Sequence, residues 1–204
     1  MASTIQVDNI KDIGGNTIIS SNGSGTFTSN LPSNVSSATG TLPIANGGTG
    51  AATFAAAGLA NTPAFNVKLS SNQNVSSGVT TVVPFNSEQV DTDNAFNTST
   101  YRFVPQTAGK YFIAFTIYAL TANAGNGNLL ALTANIRKNG SNQTQVVQDY
   151  NNNFIRQGCA TTTAVIDMNG STDYIDFTSD VAAGSGDGRF ENHTRANGFL
   201  LIGA

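Results

Sequence analysis

An all-β chain is predicted: an antiparallel sandwich or jelly roll carried on a thin extended segment. Three observations predict it. From Pro63 onward, short strand-like runs recur with turn residues between them and no helical pattern. One of these runs, Tyr111 to Leu120, is apolar on both faces. Residues 1–62, by contrast, have few large side chains and only three charges, Asp8, Lys11 and Asp12.

The first segment is taken first. Ile5 and Val7 alternate as in a short strand, Gly14-Gly15-Asn16 is turn chemistry, and Thr17 to Ser20 reads as a second strand. Ordering costs ~1–2 kcal/mol per residue. The sparse Ile, Val, Leu and Phe of this segment cannot offset that cost within one chain. Several copies around a shared axis could, so a multi-chain stalk is expected. Residues 51–60, AATFAAAGLA, are the one stretch with helical propensity, with Thr49 as N-cap and Gly58 as the left-handed terminator. Phe54 and Leu59 would pack this short helix against partner chains.

The strands expected in the second region are 65–69, 79–85, 100–104, 110–121, 129–138, 144–150, 161–168, 174–179 and 198–202. In the fourth, Tyr111, Ile113, Phe115, Ile117 and Ala119 share one face; Phe112, Ala114, Thr116, Tyr118 and Leu120 share the other. A strand with one wet face should alternate polar and apolar. One face therefore fills the sandwich core and the other needs a second cover, which a neighbouring subunit would supply.

Composition excludes several functions. Charged residues are 10% of the 204 and the formal net charge is −3. Nucleic-acid binding needs a basic surface, and the densest basic run is the pair Arg137-Lys138. A single cysteine, Cys159, forms no disulfide within the chain. No apolar run reaches the ~18 residues of a membrane-spanning helix, and the N-terminus lacks the basic and apolar regions of a secretory signal.

Two resemblances add to this reading. Residues 47–54, GGTGAATF, preceded by LPIAN and followed by AAAGLANTP, resemble a segment that recurs in bacteriophage tail-fibre proteins, departing from it at Ala60, where a glycine is common. Residues 1–19 are similar to the start of small phage structural proteins. The resemblance implies a virion appendage, attached to another virion protein through residues 1–30. The run Val82 to Ile113, with Val-x-Phe-Asn, Asp91 to Asn94, Phe103 to Pro105 and Ala108 to Tyr111, resembles the globular head of the C1q family, within the tumour-necrosis-factor-like jelly rolls. Lys138-Asn139-Gly140, Asn169-Gly170 with Asp173-Tyr174, and Gly198 to Leu201 continue the match in order. Ile113 and Ala196-Asn197 depart from the usual residues.

The C1q resemblance implies a ten-strand jelly roll over 63–204 that forms a homotrimer, with both termini at one end. The expected trimer interface is Tyr111, Phe115, Tyr118 and Phe199. By the family layout, loops 121–128 and 182–190 lie far from the stalk, and Asn123, Asn126, Asn128, Asp187 and Arg189 form the contact surface for a host receptor, saccharide among the possibilities. The expected function is non-catalytic adhesion by a short virion fibre; a capsid or tail decoration protein is the alternative.

No catalytic residue is expected. Cys159 and His193 lack a third orienting group and read as a buried small hydrophobe and a surface histidine. Asp91-Thr92-Asp93-Asn94 begins like a calcium loop, but Ala95 and Phe96 break the pattern. Some relatives of the head bind calcium near the three-fold axis, so calcium is the one metal the resemblance allows. Asp167, Asp173, Asp176 and Asp180 are expected to be solvated.

Overall fold

The computed structural model describes residues 9–21, 27–29, 48, 50–51, 53, 56–122, 127–151 and 155–202. The chain divides into two compact units, Met1–Thr53 and Phe54–Ala204.

In the first unit, β1 (Asn9–Lys11), β2 (Thr17–Ser21) and β3 (Phe27–Ser29) form an antiparallel sheet in chain order. The expected turn joins β1 and β2: Gly15 has φ +82°, and Asp12 accepts bonds from the Asn16 backbone and side-chain nitrogens at 2.8 Å. Ile10 and Ile13 are exposed. Ile5, Val7 and Thr49 lie outside the described residues, as does most of 41–50.

The expected helix at 51–60 is not observed among the described residues. Bends and a turn over 56–58 occupy this stretch. Gly58 does adopt the left-handed conformation, φ +70°, but it closes a single turn. Alanine propensity gains too little per residue to hold a ten-residue helix without packing.

The second unit is a two-sheet antiparallel jelly roll. Its strands are β4 (Ala64–Lys68), β5 (Gln73–Val75), β6 (Thr81–Val82), β7 (Ser87–Asp91), β8 (Phe96–Asn97), β9 (Arg102–Phe103), β10 (Gly109–Thr121), β11 (Leu129–Lys138), β12 (Ser141–Asp149), β13 (Gln157–Met168), β14 (Ile175–Ser179), β15 (Val181–Ala183), β16 (Gly188–Phe190) and β17 (Arg195–Leu200). In the first sheet β10 is central. It pairs with β13 along one edge, and with β17 and then β16 along the other; β4 and β7 extend the sheet beyond β17. The second sheet runs β12-β11-β14-β9-β8, with β15 on β11 and β6 on β14.

The core between the sheets is aromatic. Phe65, Phe85, Phe103, Phe115 and Phe177 pack ring against ring at 4.4–6.2 Å. The family motifs have visible physical roles. Asn139 and Gly140 both have positive φ, +51° and +81°, which a two-residue hairpin with right-handed twist requires between β11 and β12. At Gly198 a Cβ would meet the Phe112 carbonyl oxygen and Phe65 at 2.8 Å, so no side chain fits between β10 and β17.

Candidate functional site

β10 sorts the aromatic residues. Tyr111, Ile113, Phe115, Ile117 and Ala119 are fully buried inside the protomer. The Tyr111 hydroxyl donates to the Thr107 carbonyl at 2.7 Å; burial, helped by the charge of Asp93, pushes its pKa up to about 12. This corrects the expected interface at two of four positions. The side chains of Tyr111 and Phe115 are spent on the core and offer nothing to a neighbour.

Tyr118 and Phe199 do lie on the outward face, where Phe112, Ala114, Thr116 and Leu120 are half-buried. Phe112 pairs across the strands with Val165 on one side and Phe199 on the other, the two rings 5.6 Å apart. Phe199 is 36% and Val165 58% exposed. Phe112 and Val165 were not among the expected interface residues. Alternation along 161–168, with Thr161, Thr163 and Asp167 on the Val165 face, could have marked Val165, whereas 110–121 is apolar on both faces and could not mark Phe112. Thr116 and Thr161 join hydroxyls at 3.0 Å further along. The outward face is thus an apolar band bounded on one side by the Lys110–Asp167 pair and grading on the other into threonines, with Arg195 opposite Thr116.

The expected contact loops come together at one end of the jelly roll. The Ala122 N–H donates to the Asp187 carbonyl, and the Gly184 N–H to the Asn128 carbonyl, each at 2.7 Å. Asn128 also accepts from the Ile155 N–H at 2.8 Å through its side chain, so it braces the loops rather than reaching outward. Asp187 is exposed. Arg189 bonds Glu191 at 2.7 Å. A cavity of about 320 Å³ lined by Leu120, Thr121, Arg156 and Gln157 lies at this end. Asn123 and Asn126 fall outside the described residues. Pro63 sits at the other end: its carbonyl accepts from Leu200, and Leu201 bonds Lys110. The thirteen residues of β10 separate the two ends, roughly 40 Å at ~3.3 Å per residue.

Other candidates are placed as follows. Cys159 is exposed, not buried. It stands opposite Tyr118 on the outward face because β13 starts four residues earlier than expected, at Gln157. His193 is exposed, as expected, with its ring 6.1 Å from that of Tyr118. Asp91 caps a turn, its carboxylate accepting from the Ala95 and Phe96 N–H groups at 3.0–3.3 Å. Thr92 bonds Ala64. Calcium takes six to eight oxygens, and this turn does not fit it: it carries two carboxylates, one of them spent as the cap. Among the described residues no three His, Cys, Asp or Glu side chains converge.

The late acids are not all solvated. Asp176 is 2% exposed and holds Arg137 in a two-point ion pair, both bonds 2.7 Å. Asp173 accepts from Lys138 and Asn139 at 2.8 Å. These bonds, Lys138 first, lower its pKa to about 2. Burial raises that of Asp180. Only Asp167 is freely exposed. Cross-strand register, invisible in the local sequence, makes these pairs: Arg137 stands opposite Asp176.

The geometry agrees with known proteins. The jelly roll is similar to the globular domain of zebrafish complement 1qA protein, with a TM-score of 0.52 and 17% identity, covering 69% of this chain and 98% of that one. It is also similar to murine APRIL at pH 5.0, with a TM-score of 0.50 and 8% identity, covering 68% and 98%. These likenesses concern the fold. No curated protein sequence matches the chain. The model of the C1q domain matches residues 64–201, the whole jelly roll from β4 to the end of β17. Domains of this family are typically non-enzymatic binding modules and commonly form homotrimers. The chain therefore belongs to the C1q domain family.

Proposed function

We infer that this protein is a short homotrimeric fibre or spike of a phage particle, whose C1q head binds a host cell surface without catalysis. The observation that carries the trimer is the outward face of β10. Phe112, Phe199 and Val165 form an apolar band that the protomer leaves partly open. A closed ring of three uses a heterologous contact that returns on itself. Phe112, Tyr118, Val165 and Phe199 would form its contact surface. Ile10 and Ile13, exposed in the first unit, support a shared axis there too.

The virion assignment is supported by GGTGAATF at 47–54 and by the start of the chain. Residues 1–30 would attach to another virion protein. The host contact falls to the loop end away from Pro63, at Asp187 and Arg189 among the described residues, with Asn128 bracing them and Asn123 and Asn126 completing the set. Three copies would multiply weak single-site affinity.

Native mass by light scattering tests the assembly. Three times 21.1 kDa, about 63 kDa, is expected, and a stable monomer would overturn it. Purified protein should then compete with phage for adsorption to cells. A second reading is a capsid or tail decoration protein. In that case particles lacking the protein lose stability and keep adsorption.

A further inference from the structure

We propose that the polar cleft between β7, β4 and β17 binds the acidic group of a saccharide. The cleft has a volume of about 400 Å³ and is lined by Asn66, Lys68, Gln89, Asn192, His193 and Arg195. That volume falls at the lower end of the ~300–1,000 Å³ of small-ligand pockets.

The first argument is electrostatic. Lys68 and Arg195 are directly opposite each other across β4 and β17. Like charges opposed in this way destabilise a sheet. The chain has twelve acidic residues against nine Lys and Arg, yet no carboxylate lines the cleft. Neither cation has an ion-pair partner among the described residues; the neighbouring acid Glu191 is taken by Arg189. A bound anion would turn this opposed pair into a two-cation clamp.

The second argument concerns the other walls. Asn66, Gln89 and Asn192 bring amides, which both donate and accept hydrogen bonds. Sugar hydroxyls need that mixture, whereas a bare inorganic anion needs donors only. The wall is also held in place. The Thr194 N–H closes a turn onto the Glu191 carbonyl. The Thr194 hydroxyl bonds both backbone groups of Tyr118, at 3.0 and 3.1 Å. The Asn192 N–H bonds Asn72 at 2.9 Å, and Arg195 Nε reaches the His193 carbonyl at 3.3 Å. Arg195 is thereby positioned before any ligand arrives, while the exposed Lys68 side chain can close onto one.

The cleft meets the outward face of β10 on one side, where the His193 ring lies 6.1 Å from that of Tyr118. Its other wall is further off: Arg195 lies four residues from Phe199 along β17, roughly 13 Å at ~3.3 Å per residue, and the cleft extends towards β7 and away from β13.

This site rests on the reading of the head as a binding module and supplies its ligand class. The test is titration calorimetry of the full chain at low salt with sodium glucuronate, glucose and sodium sulfate. Glucuronate should bind, with glucose weaker by about tenfold or more because the charge-assisted bonds are missing. Lys68→Gln and Arg195→Gln should each weaken glucuronate by a similar factor while staying folded, with melting temperatures no lower than the parent's. Several results would overturn the proposal. They are no glucuronate binding up to tens of millimolar, equal binding of glucose, unchanged binding by both variants, or sulfate binding as tightly as glucuronate. So would a fall in native mass with Lys68→Gln, which would assign the cleft to a neighbouring copy's carboxylate. Cell adsorption of Asp187→Ala and Arg189→Ala is scored separately, so failure of the loop assignment leaves the calorimetric result standing.

Discussion

The outward faces of the two sheets solve the same problem differently. On the β11–β14 sheet, the outward residues close on themselves. Arg137 clasps Asp176, Asn135 bonds Thr178 at 3.2 Å, and Arg102 lies 3.8 Å over the Tyr174 ring. Asp176 and Thr178 are buried by these neighbours although they point away from the core. On the β10 sheet, the outward residues include Phe112, Tyr118, Phe199 and Val165, and nothing among the described residues completes their cover. A sheet face whose charges are paired with one another has less to gain from a partner, although the Asn135 side-chain oxygen there is buried without a hydrogen bond. A face that leaves aromatic carbon in water gains from every contact, at about 25 cal/mol per Å². The difference marks the β10 sheet as the side for association.

Five single substitutions sharpen or break this contrast. The largest effect is expected at Arg137→Ala. It strands the Asp176 carboxylate, 2% exposed, at a cost of about 3–5 kcal/mol, read from denaturant unfolding. The Arg137→Ala, Asp176→Ala double variant should recover part of that loss, since no charge is then left unpaired. A double variant as unstable as the single one would mean that the pair contributes through packing.

Phe115 and Phe112 are three residues apart on opposite faces of β10. Phe115→Ala should destabilise the head by about 3–5 kcal/mol, the range for a buried aromatic. Phe112→Asp should instead leave the protomer folded and bring the native mass from about 63 kDa to 21.1 kDa. If Phe112→Asp unfolds the chain without a monomeric stage, the two faces are not separable as argued.

An acid titration follows. Asp173 has its pKa lowered from 3.8 to about 2 by Lys138, Asn139 and the Asn169 N–H. Its contribution is therefore complete above pH 4 and fades as pH falls from 4 towards 2. Asp173→Asn should be less stable than the parent at pH 7 and show a shallower loss across that interval. Parallel curves for the two proteins would remove the ion pair from the balance.

The smallest effect is a gain. Lys68→Gln relieves the opposition to Arg195 and should raise the melting temperature by about 1–3 °C at low salt, given ~0.2–1 kcal/mol per cross-strand pair. The gain should shrink as salt screens the two charges. A lower melting temperature would show that Lys68 already has a counter-charge.

Much of the fold was legible because it is written in short-range signals. A run of aromatic and β-branched residues apolar on both faces along 110–121 announces β10, and Asn139-Gly140 announces the β11–β12 hairpin. The run from Val82 to Ile113 carried the family resemblance that the C1q match over 64–201 bears out. Strand β7, Ser87–Asp91, was not legible. It pairs with β4 alone and sits at the sheet edge, so Ser87, Glu88 and Gln89 need no apolar alternation. The helix at 51–60 was overread: among the described residues, bends and a turn ending at the left-handed Gly58 occupy the stretch.

The sequence by itself determined that β10 is a strand with two apolar faces, and that the chain belongs among the jelly rolls. It could not choose between those faces, since Tyr111, Phe115 and Ile117 are no more apolar in pattern than Phe112, Tyr118 and Leu120. Only the tertiary structure decided, by bringing Phe177 of the opposite sheet and Phe85 of the β6–β7 connection onto the Phe115 side. The same holds for charge. That Asp176 meets Arg137, and that Lys68 faces Arg195, depends on which strands pair and in what register. Register is set by the whole core, and no local stretch of residues carries it.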